Sequence, residues 1–285
     1  MAIDPNKAVG AALPPGEASW NRDQVILYHL GIGAGDPPTD ARELSYTYEK
    51  SLKVIPSYGV VPVFSALGGI ITVPGLAGEF NPLLLLHGEQ DIEIAKPIPV
   101  EARVKNTGKV AAIYDKGKAA VAVLEAETRD AASNELLFTN RFTLFLRGAG
   151  GFGGDPGPSV KLDPPSRAPD LEARSKTLPQ QALLYRLSGD KNPIHADPDA
   201  AKLAGQDRPF LHGLCSFGIV CKAVVDTALG GDVAKVARYQ ARFAGIVFPG
   251  DEIVTSMWRE GKQILVAAKT GRGTPVLTNA AVTLR

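Results

Sequence analysis

Cysteine is scarce in this sequence of 285 residues, and net charge is nearly absent at +1. The two cysteines, Cys215 and Cys221, lie on one predicted helix, about 240° apart around it, so they cannot bridge each other there. We expect two reduced core thiols, which is typical of a cytoplasmic protein. The low net charge and the lack of a lysine and arginine cluster argue against nucleic-acid binding.

The sequence also lacks a clear targeting or membrane segment. Its first twenty residues carry acidic residues, prolines and glycines instead of an apolar core, so we expect no signal peptide. The uncharged run 57–78 is long enough to cross a membrane, but it contains Pro62, Pro74 and several glycines. We predict a buried, loosely helical region there and no membrane span.

The chain is long enough for about two domains, and it repeats one pattern twice. The sequences 21–24 and 177–180 each predict a capping box that starts a helix, with Thr177 as the second N-cap. Leu86-His87-Gly88 resembles Leu211-His212-Gly213 at a corresponding place. Each half then has four runs typical of strands. They are 90–96, 101–107, 119–130 and 136–147, and then 235–244, 252–260, 263–270 and 275–284.

A helix followed by an antiparallel meander, twice, predicts an α+β fold. The segment 148–169 is rich in glycine and proline and has little periodicity. We interpret it as a linker between an N-terminal domain, 1–147, and a C-terminal domain, 170–285. The alternative, a long active-site loop, is disfavoured by the duplication.

Three polar residues lie close together between two predicted helices: Asp190, Asn192 and His195. Gly189 is a plausible end for the first helix, and Asp197 caps the second. Pro193 keeps Asn192 out of the α region, so we predict a tight, non-helical loop over 190–194.

This trio allows three interpretations. It can be a structural Asx-turn beside a buried histidine, or an acid–base pair that holds a water. It can also be a metal site, but the loop offers a single histidine and neither cysteine lies near, so we expect no metal.

The residues Tyr185, Leu187, 188–190, 192–195 and Ala201 resemble the hydratase 2 motif of the MaoC-like dehydratases. The resemblance extends over most of the chain to the two-domain (R)-specific 2-enoyl-CoA hydratases. It implies a double hotdog fold, in which a curved sheet wraps a long helix. It also implies that Asp190 and His195 activate water for addition to a trans-2-enoyl thioester. Asn192 would hold the loop and substrate, and the Gly213 N–H would polarise the thioester carbonyl.

Physical arguments support the role of Gly213. We predict a helix from about 211 or 212 to 228, which makes the Gly213 N–H one of the unpaired donors of its first turn. Such a donor, together with the helix dipole, stabilises an enolate-like oxygen. The alternative for Gly213 is simple helix packing. We expect His212 to be structural, since the loop already supplies a base.

The first half lacks the motif, because Asp36 is not followed by a histidine. We therefore predict one active centre per chain. The resemblance implies that the run 58–78 accommodates a long acyl chain, and that His87, Gly88, Lys116 and Phe243 contact the thioester or the CoA. A lysine at the mouth can meet a CoA phosphate, although a solvated turn lysine is an equal alternative for Lys116.

The sequence thus predicts a hydro-lyase that interconverts trans-2-enoyl-CoA and (R)-3-hydroxyacyl-CoA without a cofactor. A dehydratase acting on chains bound to acyl carrier protein, a hotdog thioesterase and a non-catalytic acyl-thioester binding protein are the alternatives. The resemblance also implies a homodimer.

Overall fold

The computed structural model of the chain describes residues 3–63, 68–81, 85–159 and 161–285. Its ten strands pair antiparallel in one sheet. The strands of the first half are β1 (Ala12–Trp20), β2 (Leu85–Ile94), β3 (Ala102–Asp115), β4 (Ala119–Asp130) and β5 (Leu136–Arg147). Those of the second half are β6 (Leu171–Lys176), β7 (Val236–Phe243), β8 (Glu252–Glu260), β9 (Gln263–Thr270) and β10 (Pro275–Leu284).

The strand order is mirrored about the middle of the sheet. It runs β1-β3-β4-β5-β2 and then β7-β10-β9-β8-β6, so each strand of one half has a counterpart in the other. The halves meet where β2 pairs with β7, from Glu89 opposite Arg242 to Glu93 opposite Arg238. The duplicated α+β pattern predicted from the sequence is therefore present, and its two copies share one sheet.

Six α-helices are described: α1 (Pro5–Ala8), α2 (Arg22–Gly31), α3 (Ala41–Thr47), α4 (Gln181–Tyr185), α5 (Pro198–Leu203) and α6 (Gly213–Ala228). α6 is the central helix, with eleven buried residues. Its Phe217 ring stacks 4.0 Å from Tyr239 of β7, whose hydroxyl donates to the Phe217 carbonyl. Cys215 and Cys221 are both buried and free on this helix, as predicted.

The first half has no long helix at the corresponding place among the described residues. The run 57–78 contains two 3₁₀ turns, Pro56–Val60 and Gly68–Thr72, with Tyr58 and Ile70 buried. This agrees with the loosely helical region predicted there, but the region is buried only in part, because Ile71, Thr72 and Pro74 are exposed. Residues 64–67 lie outside the described residues. Of the helices in the described ranges, not one has the length and apolarity to cross a bilayer.

Two edge strands were not predicted from the sequence. β1 contains Pro14 and Pro15, which normally argue against a strand, but an edge strand tolerates proline. A shift of its register against β3 between Leu13 and Gly16 accommodates them. β6 is a short edge strand whose exposed residues alternate with half-buried ones.

Two further expectations are wrong. Thr177 does not cap α4, because its hydroxyl donates instead to the Asp251 carbonyl, and the helix starts at Gln181. His87 is not the counterpart of His212: His87 lies in β2, whereas His212 is the N-cap of α6. The capping box at 21–24 is confirmed, with both reciprocal hydrogen bonds present.

Candidate active site

The loop after α4 is held by short-range hydrogen bonds. Gly189 has φ of +125°, a conformation that suits glycine, and turns the chain after a 3₁₀ turn over 186–188. The Asn192 N–H donates to Asp190 Oδ1 at 3.1 Å, and the Ile194 N–H donates to Asn192 Oδ1 at 3.2 Å. Asn192 is extended, as predicted before proline, but 193–195 form a 3₁₀ turn where we expected a loop without helix. The Asx-turn thus coexists with whatever chemistry the loop performs.

His195 is held in one orientation. Its Nδ1–H donates to the Phe210 carbonyl at 2.8 Å, because a carbonyl oxygen can only accept. This bond assigns the proton of the neutral ring to Nδ1 and leaves the Nε2 lone pair free. The Phe210 ring also packs edge-on at 5.0 Å. His195 therefore has the orientation and tautomer of a base.

A second histidine joins the site from a different part of the chain. The ring of His212 lies 3.8 Å from that of His195, and its Nε2–H donates to the Asp190 carbonyl at 3.2 Å. One side-chain nitrogen or oxygen from each of Asp190, His195 and His212 lies within 4.8 Å of the others. The acid and the imidazole thus converge. The expectation that no second histidine is near was wrong, because the fold brings His212 to the loop from outside its sequence neighbourhood.

Asp190 and His195 open onto a cavity of about 570 Å³, within the usual range for small-molecule sites. The polar part of its wall contains His87, Asp190, Asn192 and His195. Most of the remaining wall is apolar and comes from both halves, with Ile70, Leu85, Phe142 and Leu144 from the first and Leu211, Leu214, Phe243, Ile246, Val247 and Val276 from the second. Sequence reasoning missed this apolar wall, apart from Ile70 and Phe243, because strand patterns do not reveal which buried face borders a cavity.

Gly213 is the first residue of α6 and lines the same cavity. Within the described part of the chain, its N–H donates to no acceptor, as expected for the first turn of a helix. A side chain here would meet the Phe243 ring at 3.1 Å, so only glycine fits without displacing that ring. His87 lies next to Phe243 in the cavity wall, with 4.9 Å between the ring centroids.

The other two predicted site residues do not line the cavity. Gly88 is a bulge residue of β2 whose missing side chain leaves room for the Phe145 ring, since a Cβ would lie 2.3 Å from it. Lys116 is exposed in the turn between β3 and β4, where its N–H donates to the Ala119 carbonyl. Of the predicted set, the cavity therefore gathers Asp190, Asn192, His195, Gly213, His87 and Phe243.

Burial dominates the electrostatics of the site histidines. It lowers the pKa of His195, opposed by the bond to the Phe210 carbonyl and the charge of Asp190. It lowers the pKa of His87 to about 4. Burial, and then the neighbouring His195, lower the pKa of His212 to about 3. All three rings are therefore neutral at pH 7.

Two family models together match nearly the whole chain. The MFE-2 hydratase 2 N-terminal domain matches residues 19–148, and the MaoC like domain matches residues 161–281. The fold and the loop thus define a MaoC-like protein with two hotdog units. A Mycobacterium tuberculosis protein, enoyl-CoA hydratase ChsH3, is 44% identical over 269 residues, which cover 94% of this chain and 93% of that protein.

Two other proteins extend this result. The Arabidopsis thaliana protein named enoyl-CoA hydratase 2, peroxisomal, is 40% identical, over 90% of this chain and 87% of its own. The crystal structure of a MaoC-like dehydratase from Phytophthora capsici superposes with a TM-score of 0.87 at 32% identity, covering 98% of both chains. The chain belongs to the enoyl-CoA hydratase 2 family of MaoC-like proteins.

The histidines predict how stability depends on pH. The chain has four histidines, and burial lowers the pKa of each, to about 4 for His29. Below pH ~6.5 the histidines of the unfolded chain become protonated, whereas those of the folded chain stay neutral down to a lower pH. The free energy of unfolding should therefore fall between pH 7 and pH 4.5, by a few kcal/mol. Urea unfolding at several pH values measures this, and a midpoint that stays constant or rises on acidification would contradict it.

Proposed function

We propose that the protein catalyses the reversible hydration of trans-2-enoyl-CoA to (R)-3-hydroxyacyl-CoA. One observation carries the proposal: Asp190, His195 and Gly213, whose N–H has no acceptor among the described residues, all line one cavity with an apolar wall. Acid–base groups, a donor for a carbonyl oxygen and space for an acyl chain are what this reaction needs. The names of the hydratase relatives support the substrate class.

Asp190 and His195 hold the water in this proposal. The Nε2 lone pair of His195 and the Asp190 carboxylate accept hydrogen bonds from it, and one of them removes a proton as the oxygen attacks C3. The same pair returns that proton to C2, so no net proton is gained or lost. Asn192 supports this step by holding the turn between the two groups.

Gly213 acts on the other end of the reacting system. Attack at C3 moves negative charge to the thioester oxygen, and a fixed N–H at that point lowers the barrier. The donor stands at the start of the sixteen-residue helix α6, so its dipole adds to the effect. The absent side chain lets the thioester approach the backbone closely.

The apolar wall from both halves would take the acyl chain, and the aromatic pair of His87 and Phe243 would border the thioester. Gly88 and Lys116 do not line the cavity. Their proposed contacts with the CoA therefore require that the CoA extends beyond the cavity mouth. Lys116, being exposed, can meet a phosphate there.

The same reaction centre suits acyl chains on a carrier protein, because the chemistry does not involve the far side of the sulfur. Comparing rates on CoA and carrier-protein thioesters separates these two substrates. A thioesterase would release free thiol, and a binding protein would hold enoyl-CoA without turnover.

We also propose a homodimer in the cytoplasm. The buried, reduced cysteines support the compartment, and the family resemblance supports the dimer. Light scattering should give twice the chain mass of 30.1 kDa, whereas a single chain mass would contradict the dimer.

A further prediction concerns the acid–base pair. Asp190→Asn and His195→Gln each remove one proton acceptor, so kcat for hydration of crotonyl-CoA and longer enoyl-CoAs should fall by ~10²–10⁴-fold. The loss of absorbance of the enoyl thioester measures the rate. Asp199→Asn is a control, because that side chain is exposed on α5. Folded variants with near wild-type rates would reject the roles of Asp190 and His195.

Another prediction concerns metals. We expect no metal to take part, so treatment with EDTA followed by gel filtration should leave kcat unchanged. A loss of rate that Zn²⁺ or Mg²⁺ restores would overturn this expectation and assign the ion to Asp190, His195 and His212.

A further inference from the structure

His212 contacts Asp190 and His195 and directly precedes Gly213, but it does not line the cavity. It is 1% exposed and is not part of the cavity wall. It is the residue before Gly213, the donor at the start of α6. One face of its ring lies against His195 at 3.8 Å, and Tyr185 lies 5.0 Å away. The His212 side chain therefore packs between the start of α6 and the loop that contains Asp190 and His195.

The hydrogen bonding of His212 is unequal at its two nitrogens. Nε2–H donates to the backbone carbonyl of Asp190 at 3.2 Å, which assigns the proton to Nε2. Nδ1 is buried and finds no partner among the residues that the structure describes. A buried nitrogen without a partner costs free energy. No second bond explains the presence of a histidine here, so the bond to the Asp190 carbonyl is the contact that a phenylalanine or leucine would not supply.

Charge does not explain the residue either. Burial is the main cause of the low pKa of His212. The neighbouring His195 and Arg186 lower that pKa further, and the bond to the Asp190 backbone carbonyl opposes them. A proton on His212 would lie beside the His195 ring, with 3.8 Å between the ring centroids, and the burial of His212 disfavours its charged form. His212 therefore stays neutral at working pH and does not exchange protons with substrate.

We propose that His212 is a positioning residue, which fixes the Asp190 backbone through its Nε2–H and the His195 ring by stacking. The proposal rests on the hydratase function above. Both contacts act on groups that must meet one water, and a displacement of about 1 Å in such a site can cost ~10²-fold in rate. Removing the contacts should thus lower kcat while leaving substrate binding largely intact.

Two amide substitutions separate the hydrogen bond from the general effect of losing the ring. In His212→Gln the side-chain N–H can reach the position of Nε2, whereas in His212→Asn it is one methylene too short. We expect kcat on crotonyl-CoA within about fivefold of wild type for the glutamine variant. For the asparagine variant we expect ~10–100-fold lower kcat, with KM within about threefold for both. If the asparagine variant does not fold, His212→Phe takes its place, since it keeps a ring and removes the donor.

His29→Gln is the matched control, because His29 is also a fully buried histidine bonded to backbone, with Nδ1–H donating to the Tyr46 carbonyl at 2.7 Å. It should lower the melting temperature and leave kcat unchanged. Equal kcat in the two amide variants would overturn the role of the hydrogen bond. Wild-type kcat in both variants, or a loss that follows the melting temperature alone, would overturn the positioning role. If both amide variants lost one limb of the pH–rate profile, His212 would be an acid or base instead. Absence of hydration by the wild type would overturn the proposed function, and the positioning role with it.

Discussion

The backbone pairing of β2 with β7 is the contact on which the rest of the molecule depends. Five residue pairs join the two halves there, and Arg238 adds a two-point ion pair to Asp91, with distances of 2.8 and 2.6 Å. Because the pairing makes one sheet of both halves, strands of the first half face the start of α6 in the second. Without it the loop 190–194 would have no opposite wall.

This arrangement explains why two similar halves can differ in function. The second half contributes the acid, the imidazole and the helix donor, and the first contributes His87 and part of the apolar wall. Among the residues that the structure describes, no second group of three histidine, cysteine or acidic side chains has ligand atoms close enough to hold one metal ion. Asp36 of the first half instead lines a separate cavity with Arg42 and Glu43. This asymmetry fits the prediction of one active centre per chain.

The sequence was most informative where local pattern decides structure. The bounds of β4, β5, β8, β9 and β10 were predicted to the residue, because alternating burial and turn residues limit each of them. β1 was missed because edge pairing overrides the proline signal. The Thr177 cap was wrong because a tertiary partner, the Asp251 carbonyl, takes its hydroxyl.

In the site, too, the residues that could be predicted are those that lie close together in sequence. Asp190, Asn192 and His195 could be predicted as a group because they share one loop. The contribution of His212 to that group could not, since 22 residues separate it from Asp190 and the fold alone brings them together. The tautomer of His195 was equally out of reach, because it depends on a carbonyl 15 residues away.

The two ends of the sheet have a consequence for how copies of the chain associate. The outer strand β1 carries consecutive prolines and a bulge, and the outer strand β6 is six residues long with Glu172, Arg174 and Lys176 pointing outward. Both features hinder the docking of a foreign strand. The addition of an eleventh strand is thus disfavoured at both edges of the sheet. This limits edge-to-edge aggregation and leaves self-association to the other surfaces of the molecule.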